Sequence, residues 1–281
     1  MAGEHESGTG SRDIRSWLKK PVVWFGGIVV AALGVAITNA LVPRFGEMIG
    51  RVTQGGDVVI VREAQPVKSE EGGTVAFSTD VEMDAVDLGQ VNASTDRFAH
   101  LLDLGASPVG TSFALVVLEG NRSDTVRIVD ADIERDCSEP LDGSLFLDPP
   151  AGADDSLRLD FDLDAPDPVA TRRSNETGEP VQVFPAETIS LAPEEQVSLV
   201  VTGSTSQQSC DFRVRFTVLH GDARSSILVP DASEPPFRVT ARLEESAYQS
   251  VYLGGVACGV GEFVLASETY FATGTEPACV G

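Results

Sequence analysis

Residues 210 to 221 read CDFRVRFTVLHG. Cys210, Phe212, Val214, Phe216 and Val218 share one parity, while Asp211, Arg213, Arg215 and Thr217 take the other. A period of two marks an extended chain whose side chains point alternately to a dry face and a wet one, as in a half-buried antiparallel strand. The pattern recurs upstream in VVIV (58–61), TVAFSTDV (74–81), SFALVVLEG (112–120), TVRIVDADI (125–133), LRLDFDLD (157–164) and QVSLVVTG (196–203). Downstream it continues in SSILV (225–229), FRVTARL (237–243) and EFVLAS (262–267). Turn-forming clusters separate the runs: PLDGS at 140, DPPAGADDS at 148, TGEP at 177, HGDA at 220 and DASEPP at 231. Short strands with turn signals at this spacing predict an all-β fold, an antiparallel β-sandwich. One helix is expected, over Ser94 to Leu104, where Phe98, Leu101 and Leu102 form a single apolar stripe and Gly105 supplies a stop.

Within these strands LRLDFDLDAPDP (157–168) raises a separate question, because Asp160, Asp162 and Asp164 fall at every second position. Hard cations take several carboxylate and carbonyl oxygens, so the three acids are candidate calcium ligands. An EF-hand is excluded, since the glycine needed at the sixth position is Ala165 and the glutamate needed at the twelfth is Thr171. Alternate acids on a strand also stand about 7 Å apart in a row, too far to share one ion unaided. The even partner set Leu157, Leu159, Phe161 and Leu163 explains the stretch as a strand with a solvated acidic face.

Pro21 to Val42, PVVWFGGIVVAALGVAITNALV, carries no charge over a length close to the roughly 20 residues that cross a bilayer as a helix. The expected organisation is a cytoplasmic tail at 1–20, a transmembrane helix at 21–43, a juxtamembrane linker at 44–56 and an extracellular domain at 57–281. Trp17 and Trp24 mark the N-terminal interface, and Arg12, Arg15, Lys19 and Lys20 precede it, which places the N-terminus in the cytoplasm. Arg44 and Arg51 weaken that asymmetry. Thr38-Asn39-Ala40 resembles a signal-peptidase site, but the apolar run exceeds the usual signal core of about 7 to 15 residues, so an uncleaved anchor is favoured. Beyond residue 44 the chain holds 15 Lys or Arg against 40 Asp or Glu. So acidic a surface repels phosphate backbones, and no nucleic-acid partner is expected.

All four cysteines, Cys137, Cys210, Cys258 and Cys279, follow the anchor, on the oxidising side where an even count favours two disulfides. Three pairings are open. Cys137 with Cys210 and Cys258 with Cys279 is favoured, because the last two bracket a short terminal segment and the first two sit at strand ends. Asn92, Asn121 and Asn175 each open a glycosylation tripeptide.

Catalytic signatures are sparse. Beyond the tail there are only two histidines, His100 and His220, and no G-x-S-x-G elbow, H-E-x-x-H or phosphate-cradling loop. Disulfide-bonded cysteines and two histidines do not readily make a zinc site. Carboxylate pairs are plentiful, but both tryptophans belong to the anchor region, which argues against a sugar cleft. No cofactor is implied.

The basic tail, WLKKPVVW at Trp17 to Trp24 and the acidic domain together resemble uncharacterised single-pass surface proteins of high-GC Gram-positive bacteria. The similar features in the domain are VLEGNRSDTVRIVDADI (117–133), CSEPLDG from Cys137, FDLDAPDP, ISLAPEEQVSLVV, CDFR from Cys210 and PFRVTA. They cover about half the chain and include no catalytic signature. The resemblance implies an immunoglobulin-like extracellular sandwich bridged between Cys137 and Cys210, and it transfers no functional residue. The expected function is a membrane-anchored binding or interaction module, non-enzymatic, contacting an extracytoplasmic protein or cell-envelope polymer. Two other readings stand beside it: an extracytoplasmic hydrolase using carboxylates, His100 or His220, and a sensor acting through a partner.

Overall fold

The computed structural model describes residues 56–68, 73–149, 158–174 and 177–280. The expected tail, the anchor at 21–43 and the linker up to residue 55 lie outside the described residues, as do Trp17, Trp24, Leu157 and Asn175. Among the described residues no helix is long and apolar enough to cross a membrane. Residues from Gly56 onward form one compact unit.

The all-β expectation holds, and two facing sheets make the sandwich. The first runs β1 (Val59–Val67), β4 (Thr111–Gly120), β11 (Gln196–Ser204), β7 (Arg158–Asp162), β8 (Thr171–Arg173) and β9 (Pro180–Gln182) in spatial order. The second runs β10 (Ile189–Leu191), β5 (Val126–Ser138), β12 (Ser209–His220) and β13 (Ala223–Val229), with β14 (Phe237–Thr240) continuing the β13 edge. The opening stretch is its central strand. Phe212, Val214, Phe216 and Val218 project into the shared core opposite Ala114, Val116, Leu118, Leu159, Phe161 and Val201. Val129 is an extra residue in β5, so that Ile128 and Ala131 both face inward across the irregularity.

Three expectations need correction. The sandwich is not wholly antiparallel: β7 lies parallel to β11, because the chain crosses to the second sheet as β10 before β11 returns beside β7. The Cys137–Cys210 bridge forms as favoured, yet it joins directly opposed residues of neighbouring strands β5 and β12 in one sheet. An immunoglobulin disulfide instead spans the two sheets. Finally, the domain carries a second structural layer, built where the sequence pattern predicts longer strands or connections.

That layer is a crown of five short strands, ordered β16 (Val264–Leu265), β15 (Ser250–Leu253), β6 (Ser144–Leu147), β2 (Val75–Ala76) and β3 (Ser107–Pro108). The runs expected at 74–81, 237–243 and 262–267 shorten to 75–76, 237–240 and 264–265. Phe146 and Tyr252 turn to one side of the crown sheet, where α1 (Ala85–Ala93) and α2 (Arg97–Asp103) cover it through Val91, Phe98 and Leu101. Leu145, Val251 and Leu253 turn to the other side, toward the Cys258–Cys279 bridge that closes the C-terminal segment containing α3 (Glu268–Thr273). The expected helix at 94–104 is α2, capped by Asp96 accepting from Ala99 N at 2.9 Å; α1 before it is capped by Asp84.

The crown sits at one end of the sandwich. The far end of β1, the start of β4 and the ends of β5 and β14 all connect to it. Gly56 lies at the opposite end, where Asn121 and Arg122 in the β4–β5 loop donate to the backbone carbonyls of Gly56 and Asp57. Thr240 stitches crown to sandwich: its carbonyl accepts from Gly110 N at 2.7 Å and its hydroxyl from Leu141 N at 2.9 Å.

Candidate ligand cleft

Where the sandwich meets the crown, the two sheets part and leave a cleft of about 690 Å³. The inward row of β4 explains why. It reads Leu118, Val116, Ala114 and Ser112 toward the crown, so side-chain volume shrinks along the row until the core runs out. Ala64 and Pro66 of β1 complete that wall. Pro230, Pro235 and Pro236 of the β13–β14 connection and Phe237 of β14 face them, and Ala99, Leu102 and Asp103 of α2 form the roof with Gly105 and Ala106. Its size lies within the usual range for small-ligand sites, roughly 300 to 1,000 Å³.

The walls are mostly apolar, with a few polar groups. Ser112 is 1% exposed, and its hydroxyl has no hydrogen-bond partner among the described residues. A buried, unpaired hydroxyl costs about 1 to 3 kcal/mol, so its placement in a cleft wall calls for a partner there. Arg238 donates to Gly105 O at 3.2 Å and to Leu102 O at 3.5 Å, which holds the end of α2 onto β14. It also pairs across the sheet with Asp211, whose carboxyl burial pushes up, Arg238 opposes and nearby Asp136 raises further. Asp103 and Glu234 lie on the exposed rim, and neither carboxylate has a hydrogen-bond or ion-pair partner among the described residues.

The residues singled out from the sequence lie elsewhere. Leu159, Phe161 and Leu163 are buried in the core as the alternation requires. Asp160, Asp162 and Asp164 do not converge. Asp162 accepts from Asp164 N at 3.0 Å, while Asp164 accepts from the Thr205 hydroxyl and from the Ser206 backbone and hydroxyl at 2.7, 2.7 and 2.8 Å. Burial alone would raise the Asp164 carboxyl, but these hydrogen bonds prevail and hold it below its ordinary value. The carbonyls that a calcium loop would turn to an ion are occupied by a guanidinium. Arg135 donates to Leu163 O, to Ala165 O at 2.6 Å and to Pro166 O at 3.4 Å. Among the described residues no group of three His, Cys, Asp or Glu is placed to hold a metal ion.

His100 is half-buried on α2 and His220 ends β12 at the hairpin with β13; neither is a wall of the cleft. Asn92 is engaged in a reciprocal pair, donating to Phe263 O at 3.1 Å and accepting from Phe263 N at 2.7 Å, which clips α1 to the crown. Asn121 donates to Asp57 O. Both amides have structural duties that a glycan would disrupt.

The cleft residues escaped the sequence reading. In the sequence DASEPP reads only as a turn, and Ser112 only as the first residue of a strand. The available signal was the tapering parity row from Leu118 to Ser112, visible once that face is known to be internal. No family model, curated protein or solved structure matches the chain.

Proposed function

We propose that the chain is a membrane-anchored extracytoplasmic binding module, related to single-pass surface proteins of high-GC Gram-positive bacteria, whose immunoglobulin-like sandwich receives its ligand in the cleft beneath the crown. The observation that carries this reading is the cleft itself, where an apolar wall with a buried, unpaired Ser112 hydroxyl opens to the surface. Pockets of this kind, with few polar groups on apolar walls, are the default binding hypothesis for a domain. The two facing sheets and their largely antiparallel pairing support the immunoglobulin-like description, with the parallel β7–β11 pair as a departure. The uncharged stretch at 21–42 supports the anchor, and the paired cysteines support an oxidising compartment. The described chain enters the sandwich at Gly56, at the end away from the cleft.

We read the module as non-enzymatic, since the groups that meet in the cleft form no nucleophile and base pair. A reporter enzyme fused to the C-terminus tests the topology: activity outside the membrane is expected, and activity confined to the cytoplasm refutes it. Ligand capture is tested by comparing the full chain with Ser112→Leu, which fills the cleft floor. Envelope fractions whose retention is unchanged by that substitution refute the cleft as the contact site.

A further inference from the structure

The unpaired polar groups of the cleft share one property. Asp103 and Glu234 are hydrogen-bond acceptors, and Ser112 contributes a hydroxyl that also accepts. The one cation in the wall, Arg238, already donates to the carbonyls of Gly105 and Leu102 and faces Asp211 across the sheet. A ligand carrying a carboxylate or phosphate would therefore meet two acidic residues at the rim, with further donors only from the Ser112 hydroxyl and from Gln65, whose amide already donates to Glu63.

From this, and resting on the cleft as the binding site, we propose that its ligand is an organic cation, an ammonium group on an apolar body. The body displaces water from the walls formed by Pro66, Leu102, Pro236 and Phe237. The ammonium brings three donors and no acceptor, and Asp103, Glu234 and Ser112 can each accept from it. The strongly acidic chain concentrates cations near its surface and speeds their arrival. A free amine and a lysine side chain on a peptide present this chemistry equally.

Equilibrium dialysis of the full chain in lipid nanodiscs tests the assignment with four probes: n-hexylammonium, n-hexanol, n-hexanoate and an acetylated, amidated Leu-Lys dipeptide. Empty nanodiscs correct for partition into lipid. The ammonium probes are expected to bind about tenfold more tightly than hexanol, with hexanoate weakest, and the preference should shrink as salt rises. The tighter of hexylammonium and the dipeptide identifies the source. Asp103→Asn with Glu234→Gln should bring hexylammonium to the level of hexanol and leave hexanol unchanged. Ser112→Ala, which removes only the hydroxyl, should weaken hexylammonium several-fold. Hexanol binding as well as the ammonium probes overturns the cation assignment while leaving the cleft as a ligand site. Failure of every probe, with Ser112→Leu indistinguishable from the native chain, overturns both.

Discussion

Beside the cleft the two sheets approach closely at Gly203. Gly203 of β11 pairs with Ser112 of β4, and the Phe212 ring of β12 packs directly over it from the other sheet. A Cβ built on Gly203 would lie 2.5 Å from Phe212 Cζ and 2.8 Å from Cε1. Carbon atoms in favourable contact sit about 3.5 to 4.0 Å apart, so in Gly203→Ala the ring must retreat by about 1 Å or the sheets must part. Phe212 is fully buried and braced by Phe237, at 5.6 Å between ring centroids, which blocks an easy retreat. Overpacking of this kind costs about 1 to 3 kcal/mol. Replacing a strand glycine returns about 0.5 to 1 kcal/mol of backbone entropy, so the net destabilisation centres on about 1 kcal/mol. Phe212→Leu alone should cost about 1.5 kcal/mol or more through lost aromatic volume. In the double variant the ring that clashes is gone, so the combined cost should fall short of the sum by about 1 kcal/mol. Urea unfolding of the four proteins measures the cycle. Additivity within about 0.5 kcal/mol, or a Gly203→Ala variant as stable as the native chain, refutes the close packing of Phe212 on Gly203.

Other expectations follow from the same packing. Phe146 stacks on Tyr252 at 4.4 Å and meets Phe263 and Phe77 edge-on at 5.2 and 5.8 Å, so Phe146→Ala should cost about 3 to 5 kcal/mol and speed amide exchange at Leu101 under α2; a loss under about 1 kcal/mol contradicts the aromatic centre. Hydrogen bonds from Arg62 and then from Gln196 hold the Glu119 carboxyl down to about 2, below its value in the unfolded chain. Its contribution to stability is therefore complete above about pH 4.5 and is lost as pH falls toward 2. Glu119→Gln should flatten that acid limb in melting curves recorded from pH 6 to 2, and an unchanged slope removes the assignment. Arg135→Met should destabilise by about 1 to 3 kcal/mol, because three loop carbonyls lose their donor. In the native chain millimolar calcium should leave the melting temperature unchanged; a calcium-induced rise abolished by Asp162→Asn would restore the ion site.

What could be read from the sequence was the part of the fold with one wet face. β12 and the row Leu159, Phe161 and Leu163 alternate cleanly because water lies on one side and core on the other, and the favoured one of the three open disulfide pairings is the one that forms. The crown was illegible for the converse reason. SLFL at 144–147 is buried on both faces, between the aromatic side chains under α1 and α2 and the leucine layer above the C-terminal bridge, so it shows no alternation. The helix α1, AVDLGQVNA, buries only Val91 and carries Gly89 in its middle, leaving almost no apolar period to detect. The cleft is assembled from residues 64–66, 99–112 and 230–238, and its space comes from small side chains and prolines that look like ordinary turns and strand ends in one dimension.

The charge of the chain carries a related lesson about where function lies. With 43 acidic residues, proximity of carboxylates has little meaning, since any surface stretch brings several together. What separates them is their engagement. Asp84 and Asp96 cap helices, Asp164 and Asp231 tie turns, and Glu276 holds the C-terminal segment by accepting from Ser267 N at 2.7 Å. Each of these side chains receives backbone N–H groups that would otherwise go unpaired, which is a folding duty. The alternating acids at 160 to 164 drew attention by their spacing, yet Asp162 and Asp164 belong to this engaged class. Asp103 and Glu234 have no sequence pattern at all and stand unpaired at the rim of an apolar cleft over a buried, unpaired hydroxyl. An acid that the fold does not use, held beside a cavity that the core does not fill, is better placed for a ligand than any row of acids on a strand.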